Sequence, residues 1–259
     1  RYGVSLDNAK IIQESFTAPK LVTVLIPTRG RFPLLRNAIE ALRDTATRPD
    51  DIDIQLAVDD DDTDTLSQLH NLKDITVTIG ENVGYSGTAD RHNKMFRKSV
   101  GEFLLLYADD AIVDTRGWDD IIREYRGQVC IPFVRDENTC FIHRSIPTVW
   151  EKLTVYYCAE IIYKLIALEL GIYIRHDEIH IFNVPADAQG RDRGGSMPPN
   201  GWFDYKDEIY ALTDSLKPYI PAKYAANKPL SKHPINDTAR NKYYFGPGAI
   251  GWIMPPPIG

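Results

Sequence analysis

The stretch Phe103-Leu104-Leu105-Leu106-Tyr107-Ala108-Asp109-Asp110 says more about the fold of this chain than any other. Its apolar first part predicts a buried strand, and two carboxylates follow that strand at once. Carboxylates are costly at the edge of an apolar core unless a cation offsets them. In an open α/β sheet the ligand crevice lies beyond the carboxyl ends of the strands. The stretch therefore predicts such a sheet, with a ligand site at the end of this strand.

A second acidic cluster, Asp59-Asp60-Asp61-Asp62, follows another apolar run, Ile54–Val58. Asp is also common in solvated turns, so either cluster alone has that simpler explanation. Two acidic strand ends in one chain favour a divalent cation and a polar ligand that contains a nucleotide.

The surrounding sequence alternates strand and helix signals over residues 21–113. Apolar runs predict strands at 21–26, 54–58, 75–79 and 103–107, and helical spacing predicts helices at 33–44, 65–72 and 88–99. Strands separated by helices of this length imply right-handed crossovers. The predicted fold class is α/β, a Rossmann-like, mainly parallel sheet flanked by helices, followed by an irregular C-terminal part.

The pattern weakens after residue 115. It predicts helices at 118–125, 149–170 and 205–216, and strands at 129–134 and 173–182. Residues 185–201 are rich in Pro, Gly and Asp, which predicts a loop beside the site.

Composition limits the classes of function. The net charge of −6 over 259 residues argues against broad binding to a phosphate backbone, although the basic stretch 217–242 leaves a nucleic-acid partner open as a minority interpretation. No apolar run is long enough for a bilayer, and no signal pattern is present. Three cysteines without metal-type spacing indicate reduced thiols, so we expect a cytoplasmic protein.

Four short motifs, in order, resemble the GT-A-fold nucleotide-sugar glycosyltransferases of the family 2 type. They are Val24-Leu25-Ile26-Pro27-Thr28-Arg29-Gly30-Arg31, then Ala57-Val58-Asp59-Asp60 with Thr63-Asp64, then Asn82-Val83-Gly84 with Asn93, and finally Tyr107-Ala108-Asp109-Asp110. The last occupies the place of the DxD metal motif of that family. The resemblance implies division of the chain into an N-terminal extension (1–20), a nucleotide-sugar-binding half (21–115), an acceptor-side half (116–216) and a C-terminal tail (217–259).

The resemblance also implies the roles of individual residues. Asp110 would hold Mn²⁺ or Mg²⁺, and His180 would complete the metal shell, with His176 as its competitor. Tyr107 stands where many relatives have an acid, which leaves fewer carboxylate ligands. The residues expected to bind the nucleotide-sugar donor, a UDP-sugar first of all, are Thr28, Arg29, Arg31, Asp59, Asp60, Asn93 and Asp109.

Among these donor residues, Asp59 would accept a hydrogen bond from the base, with Asp60 as a weaker neighbour. Asp109 would contact the ribose or support the metal. Arg31 would bind phosphate, or would simply be a solvated charge at a helix start.

An inverting transferase needs a base to take the proton of the acceptor hydroxyl. By resemblance this base is Glu160, which opens an apolar helix ending at Gly171; Glu151, Asp177 and Glu178 are alternatives. The predicted activity is metal-dependent, inverting transfer of a sugar to a hydroxyl of a glycan, lipid carrier, protein, small metabolite or modified nucleobase. A nucleotidyltransferase and a non-catalytic nucleotide-sugar or glycan-binding module remain alternatives.

Overall fold

The computed structural model describes residues 18–155, 159–184 and 206–220. The strands are β1 Lys20–Thr28, β2 Ile52–Asp59, β3 Thr76–Gly80, β4 Gly101–Leu106, β5 Ala111–Val113, β6 Ile131–Val134, β7 Phe141–His143, β8 Tyr173–His176 and β9 Ile181–Asn183. The α-helices are α1 Phe32–Thr45, α2 Thr63–Gln68, α3 Thr88–Lys98, α4 Trp118–Arg123, α5 Ser145–Trp150, α6 Ala159–Leu170 and α7 Lys206–Leu216. The predicted alternation of strands and helices over 21–113 is thus confirmed.

The main sheet has the strand order β3-β2-β1-β4-β7. Its first four strands are parallel, and β7 runs antiparallel to β4. The register sets Thr28 beside Val58, and Leu25 beside Leu106. The carboxyl ends of β1, β2 and β4 therefore meet at one edge, which is where the two acidic clusters follow.

Helices cover the sheet because their apolar residues recur at helical spacing. In α1, Leu35, Ala38, Ile39 and Leu42 are buried against one face of the sheet. Met95 of α3 is buried with apolar residues of α6 in a second core cluster. The strands between them read as continuous apolar runs because they are buried on both faces. The predicted fold class, α/β with a mainly parallel sheet flanked by helices, is confirmed.

Two predicted elements are each divided in the structure. The expected helix 149–170 is two helices, because Glu151 adopts φ 63° and ends α5. The expected strand 173–182 is two strands, since β8 pairs with β6 while β9 pairs with β5. The expected loop 185–201 lies outside the described residues.

Within the described parts of the chain, no helix combines the length and apolar character that a membrane span requires. Cys130 and Cys140 are free, buried thiols. Burial raises their pKa values above that of an ordinary cysteine, so both side chains are kept as neutral thiols.

Candidate active site

Asp109 lies at the centre of the site, directly after β4. Its carboxylate is fully buried, and the Thr28 hydroxyl at the end of β1 donates a hydrogen bond to Asp109 Oδ2 at 2.8 Å. The two residues meet because β1 and β4 are neighbouring parallel strands. Asp110 is also buried, with 5% of its surface exposed. The structure thus brings Thr28, Asp109 and Asp110 together, as the sequence predicted.

Arg31 pairs with both carboxylates. Its Nε is 3.2 Å from Asp109 Oδ2, its Nη2 forms an ion pair with Asp109 Oδ1, and its Nη1 is 3.0 Å from Asp110 Oδ2. Gly30, at φ 64°, makes the turn that directs the chain into α1 after Arg31. The alternative of a merely solvated charge at a helix start is therefore wrong for Arg31.

Burial raises the pKa of Asp109 from 3.8 to about 6. The charge of Arg31 and the hydrogen bond from Thr28 lower this pKa, while the neighbouring Asp110 raises it. The raised pKa means that the desolvation of the carboxylate outweighs its partners.

Asp59, at the end of β2, is also held by arginines. Arg91 of α3 forms an ion pair with Asp59 Oδ1, and Arg29 Nη1 is 3.3 Å from Asp59 Oδ2. Arg29 also forms an ion pair with Asp61, whose carboxylate accepts a hydrogen bond from Asn82 Nδ2 at 3.1 Å. These contacts lower the pKa of Asp61, the hydrogen bond from Arg29 being the largest cause. Arg91 is a site residue that the sequence analysis missed.

The two remaining acids of this cluster differ in their surroundings. The side chain of Asp60 is exposed, and its backbone N–H donates to Gly80 O at 2.8 Å. Asp62 is buried and accepts the N–H of Gly30 at 2.8 Å and that of Thr65 at 3.2 Å. Asp62 therefore caps α2 and also fixes the Gly30 turn.

Asn93, a predicted donor-binding residue, contacts backbone. Its Oδ1 accepts the N–H groups of Leu153 and Thr154 at 2.6 and 3.1 Å, and its Nδ2 donates to Thr154 O at 2.7 Å. The amide therefore fastens the segment after α5 to α3. Contact of Asn93 with a donor stays a prediction.

Glu160 lies in the first turn of α6, half-buried. After burial, its negative charge is the second cause that raises the pKa of Cys140. Cys140 immediately precedes β7, and Thr139 donates to Leu106 O at 2.8 Å. Glu160 is therefore on the side of the molecule where β4 ends. Its role as a base stays a prediction.

The two candidate histidines, His176 and His180, lie apart from Asp109 and Asp110. His180 Nδ1 is 2.9 Å from Asp114 Oδ2, whereas Asp110 O accepts the N–H of Val184 at 2.8 Å. Four residues of strand, about 13 Å, separate those two pairings. His176 Nδ1 lies 2.7 Å from Glu178 Oε1. The structure does not bring His180 beside Asp110. The role of His180 as a metal ligand stays a prediction without support from this geometry.

Tyr107 is buried in the core beside the acid pair. Its ring is 3% exposed and belongs to the core cluster that includes α1. Burial raises the pKa of its phenol above the ordinary value. The position that is acidic in many relatives of the resembled family is therefore filled here by a core residue.

The carboxylate pair fits a hard divalent cation in part. In the described ranges, no cluster of three or more metal-ligating side chains is present. Mg²⁺ and Mn²⁺ are nevertheless held by one or two carboxylates together with substrate phosphates and waters. Asp110 supplies such a carboxylate, but its Oδ2 is shared with Arg31. The residues therefore fit a cation that arrives with a diphosphate better than a cation alone.

A cleft of about 130 Å³ lies beside the Asp59 end of the site. It lies between the ends of β2 and β3 and helix α3, and its walls include Val58, Gly80, Val83 and Arg91. Since Arg91 also pairs with Asp59, the cleft adjoins the acid that is expected to accept a hydrogen bond from the base of the nucleotide.

The sequence matches no protein-family model and no curated protein. Solved structures do resemble the fold. The S. aureus TarS fragment 1–349 in complex with UDP-GlcNAc has a TM-score of 0.56 and 10% identity, covering 80% of this chain and 72% of that one. The same fragment with UDP has a TM-score of 0.54 and 11% identity, covering 80% and 68%.

Two further solved structures are less similar. A longer TarS chain is covered over 21% of its own length, at a TM-score of 0.37. The mannosyltransferase PcManGT from Pyrobaculum calidifontis, in complex with GDP-Man and Mn²⁺, has a TM-score of 0.46 at 15% identity, covering 87% of this chain and 82% of that one. These two are too distant to support a conclusion. The TarS fragment shows that the α/β fold is shared.

Proposed function

We propose that this chain is a glycosyltransferase of the GT-A, family 2 type. It would transfer a sugar from a nucleoside-diphosphate sugar to an acceptor hydroxyl with inversion at the anomeric carbon. The preferred donor would be a UDP-sugar. The observation that carries the proposal is the meeting of Asp59, Asp109 and Asp110 at one sheet edge, each paired with an arginine. The shared fold with a TarS fragment that binds UDP-GlcNAc supports the choice of donor.

The residues at this edge suit the two ends of such a donor. Asp59, beside the cleft, would accept a hydrogen bond from the base. Arg31 and the start of α1 would face the diphosphate, because a guanidinium and a helix N-terminus both favour anions. A Mg²⁺ or Mn²⁺ ion held by Asp110 would act as a Lewis acid on the diphosphate leaving group. Asp109 would hold the Arg31 guanidinium in position through the ion pair between them.

The acceptor chemistry needs a proton acceptor near the anomeric carbon. Glu160 would take the proton from the acceptor hydroxyl as that oxygen attacks in a single in-line displacement. Its place beside Cys140, on the side where β4 ends, supports this assignment.

The test is incubation of the protein with nucleotide sugars, with and without Mn²⁺, while the released nucleotide is identified. Release of UDP supports the proposal. Release of pyrophosphate would instead identify a nucleotidyltransferase. Binding of UDP-sugar without turnover, with every acceptor class tried, would identify a binding module.

A variant pair sharpens this test. Asp110→Ala should abolish the Mn²⁺-dependent part of the UDP-induced rise in melting temperature, because a ligand that binds only the folded state stabilises it. The matched control is Asp120→Ala, an exposed acid of α4 that pairs with Arg123 away from the site. A full Mn²⁺-dependent shift in Asp110→Ala would remove Asp110 from the metal site.

A further inference from the structure

Arg31 holds the two carboxylates in a fixed arrangement. It grips Asp109 side-on with Nε and Nη2, and reaches Asp110 with Nη1 at 3.0 Å. A quarter of the Arg31 side chain is exposed, whereas the Asp109 side chain is fully buried. One guanidinium is thus shared by both acids, from the more exposed side of the pair.

The position of Arg31 is unfavourable for a cation because it is next to the N-terminus of a helix. Arg31 is the residue before α1, a helix of 14 residues, and the N-terminus of a helix carries a partial positive charge. The carboxylates of Asp109 and Asp110 offset that repulsion, because their negative charges are in direct contact with the guanidinium. The helix end and the guanidinium together form a place where an anion is favoured.

A divalent cation at Asp110 would meet Arg31. The Nη1 group already takes one of the lone-pair positions of Asp110 Oδ2, and a metal ion on the same carboxylate would bring two positive charges close enough to repel each other. The contacts with Asp109, however, do not involve Asp110. Arg31 can therefore give up Nη1 and still remain in the site.

We propose, on the basis of the function proposed above, that Arg31 is an exchangeable counter-ion which competes with the divalent cation for Asp110. Without a diphosphate, the guanidinium occupies Asp110 and keeps metal affinity low. When a nucleotide diphosphate enters, the guanidinium leaves Asp110 for a phosphate oxygen and the cation takes its place. Metal and nucleotide consequently bind more tightly together than either does alone, as coupled ligands must.

The decisive experiment measures Mn²⁺ affinity without nucleotide, from the electron paramagnetic resonance signal of free Mn²⁺. Arg31→Gln should bind Mn²⁺ alone at least about tenfold more tightly than the parent protein, a change equivalent to about 1.4 kcal/mol. Addition of UDP should raise the Mn²⁺ affinity of the variant by a smaller factor than that of the parent. The matched control is Arg36→Gln, an exposed arginine of α1 that faces Glu40 at 3.7 Å, and it should behave as the parent does.

A second variant covers failure of Arg31→Gln to fold, since that change leaves Asp109 without its cation. The double variant Arg31→Gln with Asp109→Asn removes the positive charge at residue 31 and the negative charge at residue 109, and it leaves Asp110 in place. It should also bind Mn²⁺ alone more tightly than the parent. If both folded variants bind Mn²⁺ no more tightly than the parent, Arg31 does not compete and the inference is overturned. Because this comparison contains no nucleotide sugar, failure of the proposed transferase activity would be seen separately.

Discussion

The hydroxyl of Thr28 donates to Oδ2 of Asp109 at 2.8 Å, which joins the ends of two neighbouring parallel strands through their side chains. Both groups are buried, so the bond is made away from water. The bond therefore connects the first strand of the fold to the acid around which the site is built.

Thr28→Val keeps the shape of the side chain and removes this donor. We expect the free energy of unfolding above pH 7 to fall by about 1.5–3 kcal/mol, the usual range for a hydrogen bond to a charged group. Urea unfolding measures the change, and Thr28→Ser, which retains the hydroxyl, should lose much less. Equal stability of Thr28→Val and the parent would show that the bond contributes nothing.

Stability should depend on pH through Asp109. Its pKa is about 6 in the folded state, against 3.8 when unperturbed. Between these values the folded protein keeps a proton that the unfolded chain has lost. The stabilisation is therefore complete below about pH 4 and is lost as pH rises through about 6, by up to about 3 kcal/mol for a shift of about two units.

This pH dependence is checked by urea unfolding at about pH 4.5 and about pH 7.5. Asp109→Asn cannot titrate, so its stability should decline less than that of the parent over this interval. Parallel pH profiles for the two proteins would show that Asp109 does not titrate in this window.

Asn93→Ala removes the amide that fastens Leu153 and Thr154. We expect a loss of about 1–3 kcal/mol in the free energy of unfolding, because two backbone N–H groups lose their acceptor. Hydrogen exchange of those two amides should become faster, while Lys94→Ala, at the next and exposed position, leaves it unchanged. Loss of UDP binding with unaltered exchange would instead assign Asn93 to the ligand.

Glu160→Gln tests the proposed base. The change should lower kcat by at least about a hundredfold, the lower range of general base catalysis, and should leave UDP affinity near that of the parent. Glu169→Gln, about two and a half turns along the same helix, serves as the control. Transfer by Glu160→Gln near the parent rate would place the base elsewhere.

The sequence predicted the first half of the fold well because the signals there are local. β1, β2 and β4 are apolar runs, and α1 shows its buried face in its own spacing. β7, of three residues, depends on a distant partner and was not predicted, and the pairing of β9 with β5 rather than with the strand before it was not visible in the local pattern. The break after α5 was also hidden, since the φ of 63° falls on a glutamate rather than a glycine.

The site divides in the same way. Its acids were found because they follow apolar strands, but the ion pairs that those acids form with arginines were not. Arg91 lies 32 residues from Asp59, and only the crossover from β2 through β3 to α3 brings them together. Arg31 was named as a phosphate contact, yet its pairing with both Asp109 and Asp110 required the turn at Gly30.

The short loop between β1 and α1 carries two guanidinium groups that grip opposite ends of the crevice. Arg29 holds the acids after β2, and Arg31 holds those after β4, with one glycine between them. Two residues of chain span at most about 7 Å, so the backbones of the two arginines are close together. Both acidic clusters are therefore tied, through their arginines, to one short piece of backbone.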